Sequence, residues 1–251
     1  MQKLSDNKIF LKEDIHEYQL IDDPEMEFTS CTTFAKYFFQ PFDKIGIANS
    51  LTNTHPNYIA MTPQMLVKQW DKLAEEGTLI HNEIEQFIKN KVDVPTREKS
   101  KVAIKWIKKN FTDRYDVFSE VIIYSKELAL AGSIDILLYD KEEKSYKILD
   151  WKTNKKIETS SYRNRMGTHK ASSNLMDCNY IHYSIQLSLY RYILEEYYNL
   201  DVTGTAISHL TDGKVISYKT EYHKHKIEDM LKADRIALKK KAEENLTKEY
   251  I

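Results

Sequence analysis

The chain has 251 residues, 30% of them charged, and a formal net charge of -1. That length fits one large domain, or a core with a smaller lobe, and so balanced a charge gives no argument for a nucleic-acid partner: any phosphate-binding site has to be a local basic patch. Cys31 and Cys178 are too few for a disulfide framework, a four-cysteine zinc site or an iron–sulfur cluster, and no apolar run has signal or membrane-span character, so a soluble intracellular protein is expected.

Residues 1 to about 30 are polar and acidic and read as an irregular arm. In the stretch FTSCTTFAKYFFQPF, Ser30, Thr32 and Thr33 are N-cap candidates for a short helix ended by Pro41. Its hydroxyls either cap the helix or contact a phosphate. Residues 43 to 61 read as a loop. Thr62 and Pro63 then open a long helix, with apolar positions at Met65, Leu66, Trp70, Leu73, Ile80, Ile84, Phe87 and Ile88. Gly77 inside it costs about 1 kcal/mol against alanine and marks a close approach or a break. His81 lies one turn later, and Glu85 one turn beyond that; each is either structural or part of a metal pair. Lys91 to Arg97 connects to a second helix, Glu98 to Phe111, which is lysine-rich and carries Trp106.

Val117 to Tyr124 reads as a strand interrupted by Glu120, which is either a surface residue or turned toward the acids that follow. Leu128 to Leu138 and Tyr146 to Trp151 read as a hairpin around the charged turn Asp140 to Lys144. Asp135 breaks the first of these strands and Asp150 ends the second. A carboxylate among apolar strand residues is costly unless something pairs with it. Two such groups repel, and a divalent cation turns that repulsion into ligation. Lys152, two residues past Asp150, projects to the same face. Two acids and a lysine on adjacent strands suit metal-assisted phosphodiester hydrolysis.

A long polar stretch follows. Lys155, Lys156, Arg163, Arg165, His169 and Lys170 outnumber Glu158 and Asp177, so it is either a solvated insertion or a lid that grips a phosphate backbone. Tyr180 to Tyr198 is a strong helix with Gln186 and Tyr190 four residues apart on one side. Thr203 to Leu210 and Lys214 to Tyr222 are two more strands joined at Asp212 and Gly213, and Lys224 to the C-terminus is a charged helix.

The element order implies an α/β core with a mixed sheet. With its motifs, the chain resembles the RecB-like branch of the PD-(D/E)XK nucleases, and in particular stand-alone phage and mitochondrial genome maintenance exonucleases. Gly77 to His81 matches the GxxxH helix of that branch and Gly132 to Asp135 its GxxD strand. Asp150-Trp151-Lys152 matches the DxK element, and Gln186 to Tyr190 the QxxxY helix. The segment Ser30 to Phe34 is similar to a hydroxyl-rich stretch of those exonucleases. The resemblance spans roughly residues 28 to 210.

It implies a restriction-endonuclease-like core, a central mixed sheet flanked by helices, over residues 116–251. Residues 1–115 supply an arm and a helical region carrying the GxxxH helix, the two parts forming one compact unit. It further implies Mg²⁺ or Mn²⁺, with no iron–sulfur cluster, held by His81, Asp135, Asp150 and the Trp151 carbonyl. Glu120 becomes an acid near the metal and Lys152 the group that orients the attacking water. Gln186, Tyr190, Lys155, Arg163, Arg165, Lys170, Ser30 and Thr32 become contacts to DNA. The implied activity is a metal-dependent exonuclease of replication, repair or recombination. It acts on DNA ends or single strands in the cytoplasm of a bacterium or a virus-infected cell, and the sequence names no helicase or recombination partner. The alternatives are a structure-specific endonuclease of the same superfamily and a non-catalytic DNA-binding module.

Overall fold

A six-stranded mixed sheet organises the molecule, with helices on both faces. The structure is a computed structural model that describes residues 4, 8–12, 15, 17–90 and 95–248, with side chains up to 242. Part of the expected Lys91–Arg97 connection and the last three residues lie outside the described residues.

The middle of the sheet is β4 (Tyr115–Ser125), β5 (Leu130–Asp140) and β6 (Ser145–Lys152), joined by short turns and antiparallel. β7 (Val202–Leu210) runs parallel to β6, and β8 (Val215–Lys219) folds back on it through Gly213, whose φ of 101° suits a residue without Cβ. A two-residue strand, β3 (Thr29–Ser30), pairs with the start of β5.

One face is covered by α1 (Cys31–Lys36), the turn that follows it and α5 (Asn179–Tyr198), which bury Phe34, Phe38, Ile185 and Leu189 against Ile134, Leu137 and Ile148. The other is covered by α3 (Pro63–Asn90) and α4 (Glu98–Asn110). There Ile80, Ile84, Ile88 and Ile107 meet Ile136, Leu138, Trp151 and Leu210. Each fully buried aliphatic or aromatic side chain adds about 1.5–3 kcal/mol. No helix among the described residues is long and apolar enough to cross a membrane.

Four expectations need correction. The N-terminal arm is not irregular: β1 (Ile9–Lys12) and β2 (Glu17–Leu20) form a hairpin whose Ile9, Tyr18 and Leu20 pack on Tyr124 and Ala131. Four-residue strands carry too few apolar positions to reveal a period of two. Residues 43–61 are not all loop, because α2 (Lys44–Thr54) lies within them. Asp43 caps it by accepting from the Gly46 N–H at 2.6 Å, and its buried Ala48 and Thr52, together with a Lys44–Asp71 ion pair, outweigh the poor helix propensity of Gly46, Asn49 and Asn53. The C-terminal helix is two, α6 (Lys224–Leu231) and α7 (Arg235–Lys248). The apolar stripe of α3 is also shorter than its sequence suggests, since Met65 and Leu73 are exposed.

Candidate active site

β5 and β6 pair only from Ile136–Leu149 to Asp140–Ser145, while β6 stays paired with β7 as far as Lys152. The two strands therefore part just where Asp135 and Asp150 lie. In the gap, the Trp151 N–H donates to Asp135 Oδ2 at 2.8 Å, and the Trp151 carbonyl stands beside His81 as a hydrogen-bond acceptor. Asp135 thus takes a backbone donor that a continuous ladder would have used.

Across β5, Glu120 sits directly opposite Asp135: the register runs from Ser119–Ile136 to Val121–Ile134 and leaves out only this pair. Glu120 has φ 51°, a left-handed conformation that is costly for a non-glycine residue and that clusters at functional sites. Ile134 and Ile136 belong to clusters on opposite faces of the sheet, although residues two apart on a regular strand share a face. The pleat therefore breaks at this pair and turns both carboxylates toward α3. Ser133 Oγ fixes Glu120 by donating to Oε2 at 2.7 Å.

Gly77 brings α3 down onto the end of β6. A Cβ there would lie 2.8 Å from Thr153 Oγ1, so the close approach is the reason for the glycine, and the helix runs through it unbroken. One turn on, His81 Nδ1 lies 3.5 Å from Asp135 Oδ2. Ligand atoms of His81, Glu120 and Asp135 all lie within 4.8 Å of one another. Ligands of one octahedral ion at 2.0–2.1 Å are at most about 4.2 Å apart, so the donors need close by little more than half an ångström. Two carboxylates and one imidazole form a donor set that a divalent cation can occupy.

Asp150 stands outside that set of three. Its Oδ1 accepts from Gln186 Nε2 at 3.3 Å, and its Oδ2 faces the Lys152 ammonium and takes no regular hydrogen bond among the described residues. Gln186 Nε2 also lies 3.0 Å from Tyr190 Oη, and the Tyr190 ring covers Gly132, where a Cβ would stand 2.4 Å from Cε1. The Lys152 ammonium lies over the Tyr183 ring at 4.6 Å, a contact that no motif in the sequence points to.

The electrostatics follow from burying charges together. Burial and then the Asp135 charge push Glu120 up to about 7. Burial and the Asp150 charge raise Asp135 above the usual carboxylate range. Burial opposes the charge on Lys152, but Asp150 and Asp135 outweigh it and hold the ammonium protonated. His81 is pushed down by burial and by Lys152, which leaves a neutral imidazole able to donate a lone pair. The buried acids lack enough positive charge, which is the condition a divalent cation relieves.

The other sequence candidates lie around this centre. Ser30 caps α1, accepting from the Thr33 N–H at 3.0 Å, and Thr32 is half-buried. Lys155 follows the site on an exposed turn. The basic stretch is not a free lid: Thr168 N–H and Ser172 Oγ both donate to the Phe38 carbonyl, and Ala171 and Leu175 are buried. Arg163 stacks on Tyr162, and Arg165 lies 3.9 Å from Asp177, which bonds His182 near the start of α5. Lys170 instead lines a surface cavity of about 440 Å³ with Asp229, Lys232 and Asp234.

No protein-family model matches the chain, and no curated protein does. Among solved structures, the crystal structure of SSO0001 aligns over 87% of this chain and 74% of its own, at 11% identity and a TM-score of 0.35. So distant a likeness carries no argument about fold or function.

Proposed function

We propose that the chain is a Mg²⁺- or Mn²⁺-dependent deoxyribonuclease with a restriction-endonuclease-like core of the RecB-like kind, acting as an exonuclease on DNA ends or single strands. The observation that carries this reading is the gap between β5 and β6. Three separate elements deliver His81, Glu120 and Asp135 to one point there, and Asp150 and Lys152 stand beside it.

A divalent cation held by Asp135, His81 and Glu120, with the Trp151 carbonyl and Asp150 within reach, would activate water and offset charge on the phosphate. Lys152, kept protonated by Asp150, is placed to bind a phosphate oxygen and stabilise the charge that builds on it during attack. Glu120, whose carboxyl is raised by burial and by the Asp135 charge while the site holds no cation, would be drawn to its charged form by the ion it helps to hold. Gln186 and Tyr190 hold Asp150, and through it Lys152, in position.

The test uses purified protein with Mg²⁺ or Mn²⁺ on end-labelled single-stranded, duplex and circular DNA, beside Lys152→Ala and Asp150→Ala. Shortening of linear strands that needs metal and disappears in both folded variants supports the reading. Near-normal turnover in Asp150→Ala removes the role given to Asp150 and Lys152, and near-normal turnover in a folded Asp135→Ala protein removes the metal mechanism. Independently of activity, saturating Mn²⁺ is expected to raise the Tm of the wild type and not that of Asp135→Ala, by RT ln(1 + [L]/Kd).

A further inference from the structure

Asp177 and His182 form a side-chain pair that no step of the proposed hydrolysis uses. The Asp177 side chain is only 5% exposed, and His182 Nε2 lies 2.9 Å from its Oδ1. Arg165 stands 3.9 Å from the other carboxylate oxygen, and the Asp177 N–H donates to the Arg165 carbonyl at 2.9 Å, so the loop holds the acid in place. The Phe39 ring covers one side of the imidazole, with centroids 4.3 Å apart. A buried carboxylate accepts the Nε2 proton, which leaves the lone pair of the neutral ring on Nδ1. Among the described residues Nδ1 takes no hydrogen bond and is not enclosed, and the His182 side chain is 31% exposed.

The fold sets this ring beside the candidate site. β6 and β7 are parallel, so α5 between them runs back against β6 and starts at the end where Lys152 lies. Gln186 reaches Asp150, and Tyr183, nearly one turn earlier, lies under the Lys152 ammonium. His182 is four residues before Gln186, about 6 Å along the helix axis and about 40° around it. It therefore stands on the rim above Asp150 and Lys152, on the flank of Gln186 away from Tyr183.

Hydrolysis of a phosphodiester takes a proton from the attacking water, and the groups at the centre have no lone pair left for it. Those of His81, Glu120 and Asp135 face the cation site, and Asp150 is ion-paired with Lys152. We infer that His182 is a catalytic base of this site and Asp177 its positioning residue; the inference rests on the nuclease reading. The water oxygen forms its bond to phosphorus as the bond from phosphorus to the leaving sugar oxygen breaks, and the water proton passes to His182 Nδ1, directly or through one further water. The Nε2 proton stays in its bond to Asp177, whose carboxylate offsets the charge of the imidazolium. The leaving oxygen takes a proton from solvent, and the imidazolium returns its own there. The charged groups around the ring are Asp177 and Arg165 on the loop side and Lys152 with Asp150 on the sheet side; Phe39, from the turn after α1, is uncharged.

The experiment measures kcat and KM on an end-labelled linear oligothymidine with Mn²⁺, and binding of the same strand in EDTA, for the wild type, His182→Ala, His182→Gln and Asp177→Asn. Glutamine keeps a donor for Asp177, so that variant keeps the buried acid paired, but it carries no basic lone pair. Both His182 variants are expected to lose on the order of a hundredfold or more in kcat, with KM and binding in EDTA within about threefold of the wild type. Added imidazole is expected to restore His182→Ala by about tenfold or more and to leave His182→Gln, whose side chain fills the space, unchanged. Asp177→Asn is expected to lower kcat about tenfold or more at unchanged KM, because the amide favours the other tautomer, and imidazole does not restore it.

Near-normal kcat in His182→Gln overturns the base. Failure of imidazole to restore a folded His182→Ala protein overturns it too, as does a loss confined to KM and to binding in EDTA, which would leave the pair holding the strand. A wild type that cuts nothing with Mg²⁺ or Mn²⁺ ends the nuclease reading and this role together. A wild type that cuts and is matched by His182→Gln keeps the nuclease and loses only the base.

Discussion

Two glycines in the candidate site do the same thing for different neighbours, and the difference is testable. At Gly132 an added Cβ meets the rigid ring of Tyr190 at 2.4 Å. The ring cannot yield without pulling Tyr190 from Gln186, so Gly132→Ala is expected to lose about 1–3 kcal/mol by overpacking and to lower activity with it. At Gly77 the neighbour is the Thr153 hydroxyl at 2.8 Å, the end of a side chain that can rotate, and alanine gains about 1 kcal/mol of helix propensity. Gly77→Ala is expected to stay within about 1 kcal/mol of the wild type. Urea midpoints of the two variants check the contrast, and equal losses would mean that backbone fit, not the neighbour, sets both positions. The sequence marks Gly77 as a close approach or a break, and Gly132 only through the resemblance. What each touches depends on pairings dozens of residues away, which periodicity does not carry.

The hairpin of β5 and β6 was legible because its strands are long, apolar and separated by a charged turn. Its turn holds a second buried acid, unrelated to the candidate chemistry. Asp140 is fully buried and takes Arg114 in a two-point contact at 2.8 and 2.6 Å, Lys147 at 3.0 Å, and the Glu142 and Glu143 N–H groups. The Arg114 bonds hold its carboxyl well below the ordinary value of 3.8, against the opposing effect of burial. For an acid whose pKa is depressed on folding, the stabilisation is fully present above the unfolded pKa and is lost as pH falls through the folded one. Asp140→Asn is therefore expected to lower Tm at neutral pH, and the gap to the wild type is expected to shrink only below about pH 4. A gap that stays constant down to acid pH would mean the charge is not what the turn uses. The residues alone left Glu120 open, since an acid in an apolar strand reads the same whether it faces water or a site; the resemblance set it near the metal, but its left-handed conformation and the break in the pleat opposite Asp135 were not legible.

The sequence divides naturally into helices first and sheet second, at about residue 115, and the element types on either side of that boundary were mostly readable. How the halves depend on one another was not, because the contacts are long-range. β3 and α1 belong to the sheet and to its α5 face, while α3 and α4 are the whole cover described for the other face. Residues 116–251 alone would leave Ile136, Leu138, Trp151 and Leu210 bare on one side and remove Phe34 and Phe38 from the other. Apolar patches of that extent are not stable in water. The fragment is expected to keep much of its far-UV circular dichroism, lose its near-UV signal and bind a hydrophobic dye, whereas the full chain unfolds in one transition seen alike by both signals. A fragment with native near-UV signal and a sharp transition would make the helical part a separate lobe. His81 would then hang on a mobile joint; a cooperative whole instead fixes it, through the contact of α3 with Thr153, to the same sheet that holds the carboxylates.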